Sequence, residues 1–476
     1  MERAMKRNRY CFGLGTLGRD AVYSLVSMYF ITYLTETVGL LNYQLAIIGG
    51  LMVAFRIFDA LNDPIMGTIV DNTNTKWGKF KPWILFGMLT SGILTVLMFS
   101  NFGIEGDLYV AFAAVVYLLW GMAYTTNDIS YWSLMPAISK DQKEREGIGA
   151  VARICANIGM FSVVVLYTMV PDLFAGLGLN ARDSYFVFTV IIVIVMWLFQ
   201  TVTLVGVKED RTLLIKQERT TLSGMLKALV KNDQLMITAV SMALFMIGYC
   251  TTTSFGVYYF KYAYKDEGTY MIFAAVLGVA QLTALSVFPL FSKRFTRKQL
   301  YFGSMVAVVV AYIAFFLSFE LLPIIVVSGL ILFFAQAFIQ LLMLLFLADA
   351  VEYGEWKLGK RNESVSFAVQ PFINKLGGAV GTGVVTVTLI ISGINDIANK
   401  VVGMPEKDAL SYINQNTPDS AVWIMKVAMM ILPLICILAG FIIYHKKFKI
   451  DEKMYENIIS DLKERNEGVT SDEVQS

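Results

Sequence analysis

Histidine is nearly absent from this 476-residue sequence: the single one, His445, stands at the end of the last apolar run beside Lys446 and Lys447. One histidine cannot build a His-ligated metal centre, so it reads as a membrane-edge residue. Cysteine is scarce as well. Cys11, Cys155, Cys250 and Cys436 are scattered through apolar segments with no CxxC spacing, which supports neither a disulfide frame nor a thiolate metal site. Charged residues make up only 16% of the chain, against roughly 25% in soluble domains. The basic start, MERAMKRNRY, is followed by no A-x-A-like cleavage site, and it is read as mature sequence rather than a removable signal peptide.

What is abundant is apolar: 56% of residues are hydrophobic, with a mean hydropathy of +0.60. Repeated apolar runs of about 20 residues have the length that crosses a hydrocarbon core as helix. The expected fold class is therefore an all-α polytopic membrane protein. Spans are expected near 12–36, 43–70, 82–101, 108–136, 148–170 and 183–206, then near 234–262, 269–291, 300–319, 322–350, 364–392 and 420–445. This gives an N-terminal six-helix bundle (1–206), a central loop (207–233), a C-terminal six-helix bundle (234–446) and a tail (447–476). Lys and Arg crowd the N-terminal tail, the loops after the even-numbered spans and the segment after span 12. By the positive-inside rule both termini are expected in the cytoplasm, with the chain in the cytoplasmic membrane. In the central loop, Leu222, Met225, Leu226 and Leu229 fall on one helical face, which fits either a surface amphipathic helix or a plain tether. The polar tail is expected to be mobile, with a helix-forming stretch EKMYENIISDLKER.

Inside the spans, away from their ends, stand Arg19, Asp20, Arg56, Asp59, Asp63, Asp128, Arg153 and Lys375. An ionisable residue at a helix centre costs roughly 2.5–3.5 kcal/mol on insertion scales, and such residues mark ion or substrate pathways. In FRIFDALNDPIMG at 55–67, Asp59 and Asp63 are one helical turn apart, with Arg56 a turn back and Asn62 beside them. Two carboxylates this close repel unless a cation, a proton or Arg56 offsets them. Hard oxygen ligands suit a hard cation, so sodium at Asp59 and Asp63 is one reading. A structural Arg56–Asp59 pair that fixes helix packing is the other.

Span 4 carries WGMAYTTNDISYWSLMP, in which Tyr124, Thr125 and Asp128 share a face and Trp132 follows a turn later. A carboxylate accepts paired hydroxyl donors while aromatic rings cover the apolar C–H face of a pyranose, so the patch fits sugar recognition. Asp20, next to Arg19, could supply a second such acid. Lys375 sits in QPFINKLGGAVGTG, where small residues permit close helix approach. It pairs either with the acids of the first half or locally.

The combination of Arg56-x-x-Asp59-Ala-x-Asn62-Asp63-Pro64 with WGKFKPW at 77–83, FGLGTLGRD at 12–20, KNDQL at 231–235 and ADAVEYGEWKLGKRNES at 348–364 resembles the glycoside–pentoside–hexuronide:cation symporters of the major facilitator superfamily. The resemblance runs over essentially all twelve spans. It implies two six-helix bundles of the major facilitator type that carry a glycoside or small sugar together with sodium, lithium or a proton. It also implies that Asp59, Asp63, Asn62 and Thr125 form the cation site. Asp20 and Asp128 would accept sugar hydroxyls, with Arg19, Tyr124, Trp132, Arg153, Gln370 and Lys375 completing the wall. Asp71, Arg145, Asp349, Glu352 and Glu355 would form an inner gate of cytoplasmic ion pairs.

The sequence departs from one member of that family at Arg19, where that member has lysine, at Pro371 after Gln370, where it has a small hydroxyl residue, and at Gln340, where it has tryptophan. These changes bear on which sugar is carried. Expected partners are thus the sugar, a monovalent cation and the lipid bilayer, with no nucleic acid and no cofactor, in a functional monomer. The rival readings are a carrier of another solute such as a lysolipid, a membrane enzyme or a sensor. For an enzyme the sequence offers no nucleophile–base or metal set, and for a sensor no appended signalling domain.

Overall fold

The computed structural model describes the chain from residue 2 to residue 464, apart from 72, 74, 101, 136–137, 139–141, 209–229, 319, 360–368, 452 and 463. The amphipathic segment expected at Leu222–Leu229 lies outside the described residues, among which there is no β-strand. Among the described residues, twelve long helices run in sequence order. They are α1 (Glu2–Thr32, continued by the π-helical Tyr33–Val38), α2 (Asn42–Asp71), α3 (Lys81–Met98), α4 (Gly106–Leu134), α5 (Gln142–Tyr167) and α6 (Ala181–Gly206). After the central segment come α7 (Asp233–Ser254, continued through Gly256–Tyr258 and the π-helical Tyr259–Ala263), α8 (Gly268–Ser292), α9 (Arg297–Phe316), α10 (Leu322–Leu358), α11 (Val369–Ile391) and α12. The last is made of Asp419–Lys426, the π-helical Val427–Ile431 and Leu432–Lys447. Among the described residues, ten of these are long and apolar enough to cross a membrane. The two outside that set, α1 and α2, carry Arg19 and Asp20, and Arg56, Asp59 and Asp63.

Local chemistry sets the helix ends. At α9, the Thr296 hydroxyl accepts from the Gln299 backbone N–H at 3.2 Å, and the Gln299 side chain accepts from the Thr296 N–H at 3.0 Å. This reciprocal box satisfies two donors that the first turn would leave unpaired. Proline opens α3 and α10, where its missing N–H costs no helix bond. Gly359 closes α10 at φ 69°, the left-handed conformation that glycine enters without a Cβ clash.

The chain divides into two compact units: Met1–Arg219 with Ser254–Ala275 and Thr382–Lys426, and Thr220–Thr253 with Val276–Gly381 and Val427–Ser476. The division therefore falls inside helices. In α7 it comes where the α-helix breaks at Ser254, and in α12 where the π turn begins at Val427.

In the first unit α1 packs along α5 and α6, and α4 packs against α2 and α3. Contact is close enough that small residues are required. A Cβ on Gly159 of α5 would lie 2.0 Å from the Leu17 carbonyl oxygen, and one on Gly18 would lie 2.3 Å from Met196 Cα. Buried polar groups are paired across these helices. Asn127 and Gln200 exchange amide hydrogen bonds at 2.8 and 3.0 Å, and Asn127 also donates to the Ile84 carbonyl at 3.0 Å. The WGKFKPW stretch has a fastening role: the buried Lys81 ammonium donates to the Val207 carbonyl at 2.6 Å, just past the end of α6. Beside it the Trp83 indole N–H donates to the Thr73 hydroxyl at 2.7 Å.

In the second unit α9 packs on α10, and Tyr301, Phe346, Tyr444 and Phe448 form a ring cluster with α12. The helix-forming stretch expected in the tail is present and docked. Residues 453–462 are helical, Ile450 and Ile458 are buried, and Asp461 accepts from the Trp356 indole N–H at 2.8 Å. Two isoleucines and Tyr455 give this otherwise polar stretch an apolar face to bury.

Gly159→Ala is expected to destabilise the protein by about 1–3 kcal/mol, the range for overpacking, seen as a lower melting temperature in detergent. Gly67→Ala, with nothing within 4 Å of the added Cβ, is the control and leaves the melting temperature unchanged or slightly raised.

Candidate functional site

The ionisable residues inside the first unit are held by four helices, α1, α2, α4 and α5. On α1, the Arg19 guanidinium is 3% exposed and lies 3.0 Å from Asp20 Oδ2 and 2.8 Å from Asp128 Oδ1 of α4. The two carboxylates are 25% and 40% exposed. A buried cation thus holds two acids that are themselves partly exposed. Aromatic faces complete its enclosure, with the guanidinium 5.1 Å from the Tyr131 ring centre and 5.0 Å from that of Trp132. Arg153 of α5 is exposed, stands 6.0 Å from the same Trp132 ring and acts electrostatically on Asp20. Tyr131 is itself fixed. Its hydroxyl donates to the Phe12 carbonyl and lies 3.1 Å from the Thr203 hydroxyl.

A column of rings runs down α4 from this cluster. Tyr124 lies 5.2 Å from Tyr23 and 5.2 Å from Trp120, and Trp120 lies 6.0 Å from Tyr117. The Tyr117 hydroxyl accepts from Arg56 Nε at 3.2 Å, and Arg56 is buried on α2. On the same side of α4, the Thr125 hydroxyl donates to Asp59 Oδ1 at 3.5 Å. Gly121 is also part of this contact, since a Cβ there would lie 3.1 Å from Asp59 Oδ1. Asn62 and Asp63 follow along α2, both half-buried.

The residues singled out from sequence therefore fall into groups. Arg19, Asp20, Asp128, Trp132 and Arg153 are brought together, with Tyr124 adjoining them. Asp59 and Thr125 touch, with Asn62 and Asp63 on the same helix. Gln370 and Lys375 lie half-buried near the start of α11, in the second unit.

Of the gate residues, Asp71 ends α2 and Arg145 lies in the first turn of α5, and both side chains are outside the described residues. Asp349 pairs with Arg297, whose Nη1 is 2.6 Å from Asp349 Oδ1. Burial, together with the Glu352 carboxylate, pushes the Tyr455 hydroxyl of the tail up to about 12. Glu355 lies a turn beyond Glu352 on α10.

Sequence reasoning missed Arg297, Tyr455 and the Glu36–Lys261 pair, whose Nζ···Oε2 distance is 2.7 Å. The signal for the last was present as a lysine inside the aromatic run VYYFKYAY at 257–264.

A family model described as "MFS/sugar transport protein" matches residues 11–452. The lactose permease of Leuconostoc lactis is 30% identical over 95% of this chain and 71% of its own length. The raffinose carrier protein of Pediococcus pentosaceus is 28% identical over 95% of this chain and 71% of its own length. Among solved structures, a D-xylose-proton symporter superposes with a TM-score of 0.60 at 14% identity, covering 92% of this chain and 97% of that one. At that identity the likeness speaks for the fold alone.

Arg19→Met strands Asp20 and Asp128 beside each other without their shared cation. It is expected to cost about 3–5 kcal/mol, the range for breaking a buried pair, read as a lower melting temperature. Arg19→Lys keeps the charge but not the fork that reaches two acids, and is expected to recover part of that loss.

Proposed function

Because the chain belongs to the MFS/sugar transport protein family, we propose that it is a cation-coupled symporter of a glycoside or small sugar. At the coarser level it is a multi-pass membrane transporter of the sugar-permease kind and not an enzyme. The finer reading is that sodium, lithium or a proton enters at Asp59 and Asp63, with Asn62 and Thr125 as neighbouring oxygen ligands. The sugar is held by Asp20 and Asp128, with Trp132 and Tyr124 covering its apolar face. Gln370 and Lys375 are assigned to the substrate wall on the family pattern.

The observation that carries this reading is on α4. Thr125 reaches Asp59 of α2, and Asp128, one turn further on, is held by Arg19 of α1. One rigid helix thus touches both acid sets, so a cation that draws Asp59 and Thr125 together also sets Asp128. Linkage then requires cation and sugar to raise each other's affinity by the same factor.

Charge accounts for the order of events. Before the cation arrives, Asp59 and Asp63 carry a burden that opposes movement through a low-dielectric environment. Cation entry offsets it, and the sugar docks on Asp20 and Asp128. The loaded carrier then exchanges access from one side to the other, and release follows in reverse. With the termini in the cytoplasm and a negative interior, each monovalent cation contributes about 2.3 kcal/mol per 100 mV, worth more than tenfold accumulation at 1.4 kcal/mol per decade. Asp349, Glu352 and Glu355, with Asp71 and Arg145, are assigned to a cytoplasmic gate. The Asp349–Arg297 pair supports that role.

The test is uptake and counterflow in vesicles with a panel of glycosides, each with sodium, lithium or a proton gradient alone. Asp59→Cys and Asp63→Cys are expected to abolish cation-driven accumulation while keeping sugar binding, and Asp128→Cys to abolish binding. Undiminished cation-stimulated uptake by Asp59→Cys would overturn the assignment.

A further inference from the structure

A second, half-buried charge cluster stands away from the acids of the proposed site, at the far end of α1. Glu36 lies on the π-helical turn Tyr33–Val38, and Lys261 on the π-helical turn Tyr259–Ala263. Lys261 Nζ is 2.7 Å from Glu36 Oε2 and 3.4 Å from Glu267 Oε2. The lysine is 15% exposed and Glu36 9%. The Tyr262 hydroxyl donates to both Glu36 oxygens, at 2.8 and 3.1 Å. Around this centre the Tyr258 hydroxyl lies 3.0 Å from the Thr35 hydroxyl, and the Tyr29 and Tyr270 hydroxyls lie 3.3 Å apart.

A second seam continues the contact. Asn395 donates to the Leu40 carbonyl at 2.9 Å and to Asn42 Oδ1 at 2.8 Å, Asn399 donates to the Leu40 carbonyl at 3.0 Å, and Asn42 donates to Asp396 at 2.7 Å.

All these residues belong to the first unit, which takes Ser254–Ala275 and Thr382–Lys426 together with the first six helices. By the proposed topology those two segments are the ends of α7, α8, α11 and α12 that face away from the cytoplasm. We propose that Glu36, Lys261 and Glu267 form the polar centre of an outer gate, which seals the non-cytoplasmic side and separates when the carrier opens outward. The proposal rests on the transport reading and its topology.

The chemistry suits a contact that must break and reform. A buried ion pair is often no more stabilising than an apolar contact of the same size. Its separated halves, however, are hydrated rather than left as exposed apolar surface. Hydroxyl and amide pairs on the two seams have the same property. The placement of Glu36 and Lys261 on π turns fits as well, since π insertions inside α-helices recur at functional sites.

The experiment places a reporter cysteine at Ser27, which shares the α1 face of Asp20 and Tyr23 and lies between the acids and the gate along the helix. In intact cells, a membrane-impermeant maleimide labels the Ser27→Cys chain from outside at a measurable rate, and the chain without that change sets the background. Adding Lys261→Gln or Glu36→Gln is expected to raise that rate on the order of tenfold, with sugar binding retained. Charge reversal in Glu36→Lys with Lys261→Glu is expected to bring it back toward the parent. Tyr262→Phe, which removes one hydrogen-bonding hydroxyl and keeps the ring, gives a smaller increase and guards against misfolding of the charge variants.

Unchanged labelling in all single variants of a chain that transports sugar overturns the gate. Labelling from the cytoplasmic side alone overturns the topology beneath it. Absence of sugar counterflow in the parent overturns the transport reading, which is thereby separated from the gate.

Discussion

Arg19 is the interaction around which the first unit is organised. A guanidinium 3% exposed, inside an apolar helix, is tolerable only with its charge answered. Here two carboxylates from two helices and two aromatic faces answer it. The fork of an arginine can reach two acids in different directions, which a lysine ammonium does less well. Because Asp128 is one of those acids, α1 and α4 are joined at the point where α4 also meets α2 through Thr125 and Asp59. The close approach of α1 to α5 and α6 at Gly159 and Gly18 holds the base of that arrangement.

Polar groups elsewhere in the molecule follow the same rule with different consequences. Asn127 and Gln200 exchange hydrogen bonds within the first unit while Asn127 also reaches the Ile84 carbonyl, and such a paired amide network specifies packing. Lys81 and Trp83 tie the start of α3 to the residue after α6 and to Thr73, so two residues of the basic run WGKFKPW fasten helices together. Asp20 and Asp128 differ from these because their side chains stay partly exposed.

How much was legible in advance depended on the range of the interaction. The helices at 42–71 and 106–134 follow from apolar runs and were expected within a few residues. That Tyr124, Thr125 and Asp128 share a face also follows from helical periodicity alone. The helix in the tail was legible from EKMYENIISDLKER, but its docking was not, because Ile450, Tyr455 and Ile458 are too few to register as an apolar segment until Arg297 and Trp356 offer partners. Lys261 escaped notice because it lies at the end of an expected span, where lysines commonly reach the interface. Its partner, Glu36, was likewise at a span end.

The amino-acid sequence by itself determined the twelve helices, the low charge and the faces on which the few charges stand. Hydropathy and helical periodicity are sums over neighbours in the chain, so no tertiary information is needed to read them. The tertiary structure alone decided that Arg19 joins Asp20 to an aspartate 109 residues away, that Thr125 turns to Asp59, and that Lys261 meets Glu36. Which charges pair depends on the helices that pack together, and close packing is set by many small steric fits such as those at Gly18 and Gly159. Those fits have no signature in any local window of sequence.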